Sequence, residues 1–324
     1  MPAKAPPSEP RPAPILDRRA IPAGATFTTW AAPDGWECRM LEWPADAGQA
    51  VRGSILFAGG RGDFIEKHLE AIGAWRSSGW RMTAFDWRGQ GGSRGAIAGG
   101  HLTSLDPLVD DLGALIRDWT ARSPAPHVAI GHSMGGHVLL RALAERHPPL
   151  AAAVLVAPMV RINAAPLPAW LAAALAAAMT AIGLGDRPAW SRPATPPPAG
   201  SARQTFLTGS AERYRDELWW WQREPGYDLG APTWGWLNAA YRSSRMLTAQ
   251  RLGTVTAPCL FLAAERDRLV SSAAIRSAAA LVPGAELTMF PDSAHEILRE
   301  ADPVRERAFA RIHAFLDAHA MMAQ

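Results

Sequence analysis

Apolar residues follow two alternating rhythms along this chain. Short, nearly unbroken apolar runs predict buried strands in VRGSILFAGG (51–60), from Trp80 to Trp87, from His127 into Gly131, in AAAVLVAP (151–158), in APCLFLAAERD (257–267) and in AELTMF (285–290). Between them lie stretches whose apolar residues recur with helical spacing. These are Phe64 to Ser77, Ser104 to Arg122 with Asp106-Pro107 near its start, the segment running to His147, SSAAIRSAAALV (271–282), and Val304 to His319. Two earlier strands, Thr26 to Ala32 and Trp36 to Pro44, flank Pro33-Asp34-Gly35, the turn chemistry of a β-hairpin. Strands alternating with helices predict an α/β fold, a mostly parallel sheet covered on both faces, with ligands at the carboxyl ends of its strands.

The rhythm breaks between Met159 and Leu252. Strand signals vanish there, and the segment carries an alanine-rich apolar helix from Ala169 to Gly185, a proline cluster from Pro188 to Pro198, and seven of the chain's fourteen tryptophans. The apolar helix is short for a membrane span, rich in alanine rather than leucine, and placed between sheet elements that share one compartment. The segment is expected to be a helical cap over the site. The chain divides accordingly into a proline-rich tail (1–24), a first core half (25–158), the cap (159–252) and a second core half (253–324).

Composition narrows the function classes. The net charge of +3 comes from arginine, since Lys4 and Lys67 are the only lysines, and no basic block stands out, so no nucleic-acid partner is expected. Cys38 and Cys259 lie in separate expected strands and read as buried free thiols of a reducing compartment. Six prolines in the first fourteen residues, with no apolar signal core, give a tail expected to be disordered or loosely docked. The expected location is the cytoplasm, with peripheral contact to the inner membrane through the cap left open.

The candidate chemistry centres on HVAIGHSMGG (127–136), an apolar strand that stops at a glycine-flanked serine and continues as a helix. A serine at the tip of such a turn leaves no room for side chains two positions either side, which Gly131 and Gly135 satisfy. Ser133 is therefore the candidate nucleophile. A second G-x-S-x-G at Gly91 to Gly95 runs into AIAGGHLTS, which cannot start a helix, so Ser93 is assigned to a loop.

A serine needs a base and a third group that orients the base. His295, in PDSAHEIL after the last strand, and Asp267, in ERDRLV after the preceding one, are the candidates, with Glu265 and Asp292 competing for the carboxylate role. Asp292 could instead cap the loop holding His295. His132 and His137 are expected to be packed or surface residues. Two backbone N–H groups should face the developing oxyanion: that of Met134, and that of Arg61 in AGGRGDF, with Gly60 as the alternative donor. No metal or cofactor is expected.

With GGRGDFIEKH, DWRGQGGS, GHSMGG, FLTGSAERYRDEL, AERDRLVSSAA and SAHEIL in view, the chain from about residue 27 onward resembles the α/β-hydrolase superfamily. Within that superfamily it is similar to the monoacylglycerol lipase and bacterial lysophospholipase group. It departs from the lipase pattern in having Gly-Gly where many relatives carry His-Gly before the oxyanion donor. The resemblance implies an α/β-hydrolase fold and a serine hydrolase cleaving carboxylic esters of glycerolipids. Trp219, Trp220 and Trp221 in the cap are expected to line the acyl site. A general carboxylesterase, an acyltransferase on the same triad, or a non-catalytic ligand-binding relative stay open.

Overall fold

The structure is a computed structural model that describes residues 16–46, 48, 50–95, 100–193 and 195–320. Most of the proline-rich tail, residues 1–15, lies outside the described residues. The core begins with the hairpin β1 (Thr26–Ala31) and β2 (Glu37–Trp43), then β3 (Gly53–Ala58), α1 (Leu69–Ser77), β4 (Trp80–Phe85), α2 (Asp106–Thr120), β5 (His127–His132), α3 (Met134–Arg146) and β6 (Ala152–Val156). The strands order as β1-β2-β4-β3-β5-β6-β7-β8, where β7 (Cys259–Ala264) and β8 (Glu286–Phe290) come from the second core half. The hairpin and the β2/β4 pair are antiparallel, whereas the pairs from β4 to β8 are parallel. The chain is therefore an α/β-hydrolase fold, and the parallel register brings the carboxyl ends of β3, β5, β6, β7 and β8 to one edge.

Burial on both faces explains the unbroken apolar runs: every residue of β3, β6 and β7 is buried. One face packs against α2, α3 and α9 (Ser272–Leu281), and the other against α1 and α10 (Asp302–His319). Cys38 and Cys259 are buried free thiols within β2 and β7. Burial raises the ionisation of both thiols to about 12, which makes them inert packing groups.

Between β6 and β7 the described residues form helices: α4 (Ala169–Met179), α5 (Ala202–Leu207), α6 (Ala211–Arg223), α7 (Trp234–Ser244) and α8 (Ala249–Leu252). Polar side chains set where the middle ones start. Ser201, Ser210 and Thr233 each accept an N–H of the first turn, from Gln204, Arg213 and Trp236. The expected helix from Ala169 to Gly185 is regular only to Met179, after which a wider turn over Thr180–Leu184 contains Gly183 at φ 84°. Among the described residues no helix is long and apolar enough to cross a membrane.

One expectation is narrowed and one changes. The tail from Leu16 is docked: Arg18 and Arg19 donate to Asp216 at 2.6 and 2.7 Å, and the Trp220 indole N–H donates to the Arg18 carbonyl at 2.9 Å. Asp292 does not cap the His295 loop, because its carboxylate is held by Arg307 at 2.6 Å on the surface.

Ser93 lies in a loop and is used structurally. Its hydroxyl donates to the Asp86 carbonyl and accepts the Arg39 N–H, both at 2.7 Å, which joins the loop after β4 to β2. Replacing Ser93 with alanine leaves two buried backbone groups unpaired, at an expected cost of about 1–3 kcal/mol. Denaturant unfolding should show that loss, with catalytic constants of the folded protein unchanged.

Candidate active site

Ser133 sits between β5 and α3 at φ 53° and ψ −114°, a backbone region that a residue with a Cβ rarely adopts. Its neighbours show what holds it there. A methyl on Gly135 would lie 2.3 Å from the Ala58 carbonyl oxygen, and one on Gly131 would lie 2.7 Å from that of Gly135. Only glycine allows α3 to start this close to β3 and β5.

At the same sheet edge, His295 Nε2 lies 2.9 Å from Ser133 Oγ, and His295 Nδ1 lies 2.6 Å from Asp267 Oδ2. A carboxylate only accepts, so Nδ1 carries the proton and Nε2 presents its lone pair to the serine hydroxyl. The second Asp267 oxygen accepts the N–H groups of Leu269 and Val270 at 2.8 and 2.9 Å, which fixes the carboxylate plane. Glu265, by contrast, is exposed. Burial alone would lower the ionisation of His295, yet the charge and hydrogen bond of Asp267, with the charges of Glu296 and Asp63, raise it above the ordinary 6.5.

The glycine turn after β3 abuts the serine. A methyl on Gly60 would lie 3.0 Å from Ser133 Cβ and 3.2 Å from His132 Nδ1. The Gly60 N–H is committed, donating to Asp63 Oδ2 at 2.6 Å. The Arg61 side chain donates to the Gly230 carbonyl at 3.1 Å and lies over the Trp236 ring, so it ties the turn to the inserted helices rather than reaching into solvent.

Beneath the triad lies a buried charge cluster that the sequence pattern did not reveal. Lys67 Nζ is 2.7 Å from Asp63 Oδ1, 2.7 Å from Glu296 Oε1 and 3.3 Å from Glu217 Oε2. Arg299 pairs with Glu217 and Glu296, and Arg203 pairs with Glu217 at 2.7 Å. Three carboxylates thus face three cations. Burial would raise the acids, but the charges of Lys67 and its neighbours hold Asp63 and Glu217 well below the usual carboxylate range. Asp63 Oδ2 also accepts His132 Nδ1–H at 2.9 Å. The cluster joins α6 to the residue after His295, to the glycine turn and to the residue before Ser133. One signal for it was present in the sequence: Lys67 is one of only two lysines in an otherwise arginine-rich chain.

Asp63, His68 and His132 are the buried group whose ligand atoms converge closely enough to hold a metal ion among the described residues. The Lys67 ammonium already neutralises Asp63 there, so the arrangement serves hydrogen bonding. His137 is likewise a packed residue, sharing a 2.6 Å hydrogen bond with Ser243 Oγ, and burial lowers its ionisation to about 3.

The tryptophan triplet of α6 packs toward the core. Trp220 and Trp221 are buried where α6 packs on the core, Trp219 stands edge-on to Trp220, and Arg192 and Arg203 lie over the Trp221 ring. Large apolar rings on a helix between charged neighbours gain most by burial against the core.

An NMR titration of the His295 imidazole should give a midpoint above 6.5. Because burial acts to lower the ionisation and Asp267 is the largest of the groups that raise it, Asp267→Asn should move the midpoint down. A midpoint unmoved by that change would show that the carboxylate does not govern the ring.

The profile of the serine aminopeptidase S33 hydrolase family matches residues 49–302. The chain is 29% identical over 284 residues to lysophospholipase L2 of Escherichia coli (strain K12), covering 82% of this chain and 80% of that protein. It is 27% identical over 276 residues to a probable lysophospholipase L2 of Haemophilus influenzae, covering 83% and 85%. In fold it is similar to a soluble variant of monoglyceride lipase from Saccharomyces cerevisiae solved with a substrate analogue. The TM-score is 0.74 at 16% identity over 96% of this chain and 99% of that one. A match across most of the chain, on a sheet whose edge brings serine, histidine and aspartate together, leaves one conclusion: the chain belongs to the serine aminopeptidase S33 family of α/β hydrolases.

Proposed function

We propose that this chain is a carboxylic ester hydrolase acting on glycerolipids of the lysophospholipid or monoacylglycerol kind, through an acyl-enzyme on Ser133. The observation that carries the chemistry is the continuous relay from Asp267 through His295 to Ser133, at 2.6 and 2.9 Å. Ser133 Oγ attacks the ester carbonyl as His295 Nε2 takes its proton. The oxyanion accepts N–H groups from Met134, in the first turn of α3, and from Arg61. Gly60 is the poorer candidate for that second donor, since its N–H is bound to Asp63. His295 then returns the proton to the leaving alcohol, and water attacks the acyl-serine by the same route in reverse.

An ester rather than a peptide is favoured by the charges around the site. A free substrate amine needs an unpaired carboxylate, but Asp63, Glu217 and Glu296 are all engaged by Lys67, Arg203 and Arg299. The two lysophospholipase relatives, each matched over about four fifths of this chain, support a glycerolipid substrate. The inserted helices, residues 159–252, serve as a cap, and α4 supplies an apolar exposed face. Trp170, Leu171, Leu175 and Ile182 are all exposed along or just after it, with no charged residue from 169 to 185. That face rests peripherally on membranes.

Removing Ser133 or His295 should each cost about 10⁴-fold or more in kcat, with the double variant little worse than either alone. A folded Ser133→Ala protein that keeps its turnover would overturn the assignment.

Assays with lysophospholipids, monoacylglycerols and p-nitrophenyl esters should show kcat/KM rising from acetyl to longer acyl groups, because each buried methylene contributes about 0.8 kcal/mol. Best turnover of acetyl esters would instead indicate a general carboxylesterase, and acyl transfer to an added alcohol in preference to water an acyltransferase.

Trp170→Asp with Ile182→Asp should reduce sedimentation with anionic lipid vesicles while leaving turnover of a soluble short ester intact. Equal vesicle binding by that variant would remove the membrane role of α4.

A further inference from the structure

A cavity of about 450 Å³ opens between α4, α7, α8 and α9, and none of Ser133, Asp267 and His295 lines it. Val160, Ala173, Leu252 and Ala278 form apolar walls. Trp170 also lines it and is 71% exposed. Arg161 and Arg245 line the same cavity, and no carboxylate does. Among the described residues neither guanidinium is paired with an acid; Arg161 donates only to Ser271 Oγ, at 3.1 Å. The Tyr241 ring is buried in the wall, and burial raises the ionisation of its hydroxyl, so it remains a neutral donor.

Backbone separates the cavity from the turn that carries Asp267. The Ser271 N–H donates to the Arg161 carbonyl at 2.9 Å, the Asn163 N–H to the Leu269 carbonyl at 2.8 Å, and Ile162 bridges Val270. This short ladder walls off the turn that carries Asp267.

We propose that this cavity is a second binding site, for a single acyl or alkyl chain ending in an anionic group. An apolar recess of this size holds a chain by buried area, and two unopposed guanidiniums favour a carboxylate or phosphate head over a neutral or cationic one. Fatty acids and single-chain phosphate monoesters share that chemistry. Only the inclusion of a fatty acid released at Ser133 among the ligands rests on the ester-hydrolase reading.

The test is calorimetric titration of full-length Ser133→Ala protein with oleate, dodecyl phosphate and dodecanol, each below its micelle concentration. One anionic amphiphile per chain should bind, more weakly as salt rises, and the arm that binds tighter identifies the head group. Arg161→Gln with Arg245→Gln should weaken oleate and dodecyl phosphate by about tenfold at low salt and leave dodecanol within about twofold. Ala274→Trp should fill the cavity and abolish binding of all three; should that variant not fold, the arginine pair decides. Anionic binding unchanged in the arginine variant, or dodecanol bound as tightly as oleate by the parent, overturns the proposal. So does self-association in sedimentation without amphiphile binding, which would give the cavity to a second copy of the chain. Failure of the wild type to hydrolyse any ester bears on the function of Ser133 and leaves this titration intact.

Discussion

A serine backbone held at φ 53° is the constraint around which the rest of the edge is built. Such a conformation costs of order 1–3 kcal/mol, so it persists only where the surroundings permit no alternative. Here β5 enters the turn from a fully paired position between β3 and β6, and α3 leaves it too close to Ala58 and Gly59 for any side chain at Gly135. The strain aims the hydroxyl out of the sheet edge toward His295. It also keeps the first N–H groups of α3 beside the serine.

The edge carries a second constraint, a set of buried charges. Asp63, Glu217 and Glu296 meet Lys67, Arg203 and Arg299 beside the segments that carry Ser133 and His295. Buried pairs of this kind contribute little net stability against an apolar replacement, but breaking one leaves an unpaired ion in a dry place, at about 3–5 kcal/mol. Their value lies in position. Glu296 comes directly after His295, His132 precedes Ser133, Asp63 anchors the glycine turn, and Glu217 belongs to an inserted helix, so one cluster sets the relative placement of four chain segments. The carboxylate that accepts Gly60's N–H thereby also fixes the backbone of the glycine turn beside the serine.

The inserted helices carry apolar residues in two different ways. On α6 the tryptophans turn inward and receive the N-terminal segment, whose Arg18 carbonyl accepts the Trp220 N–H while its guanidinium meets Asp216. On α4 the larger apolar side chains stay outside and small Ala173 and Ala176 face the protein. A helix with no charge along its length and its bulky residues outward has its apolar surface unfilled by the fold itself, and the cavity beside it opens next to that surface.

What the sequence by itself determined was the part of the structure set by local chemistry. Apolar rhythm specified the strands and core helices, because a strand buried on both faces must be apolar throughout. Glycines at 131 and 135 specified the elbow, because the turn has no space for a Cβ. The second glycine-flanked serine, Ser93, could be set aside because the glycine-rich residues after it cannot begin a helix, and the position of His295 and Asp267 after successive strands came from parallel topology. What only the tertiary structure decided was every matter of partnership between distant segments. The pairing of Lys67 with Glu217 and Glu296, the use of the Gly60 N–H by Asp63, the inward turn of Trp220 and the docking of Arg18 on α6 leave no local signature. Charges and rings that are far apart in the chain acquire their roles only when folding removes them from water and obliges each to find a partner.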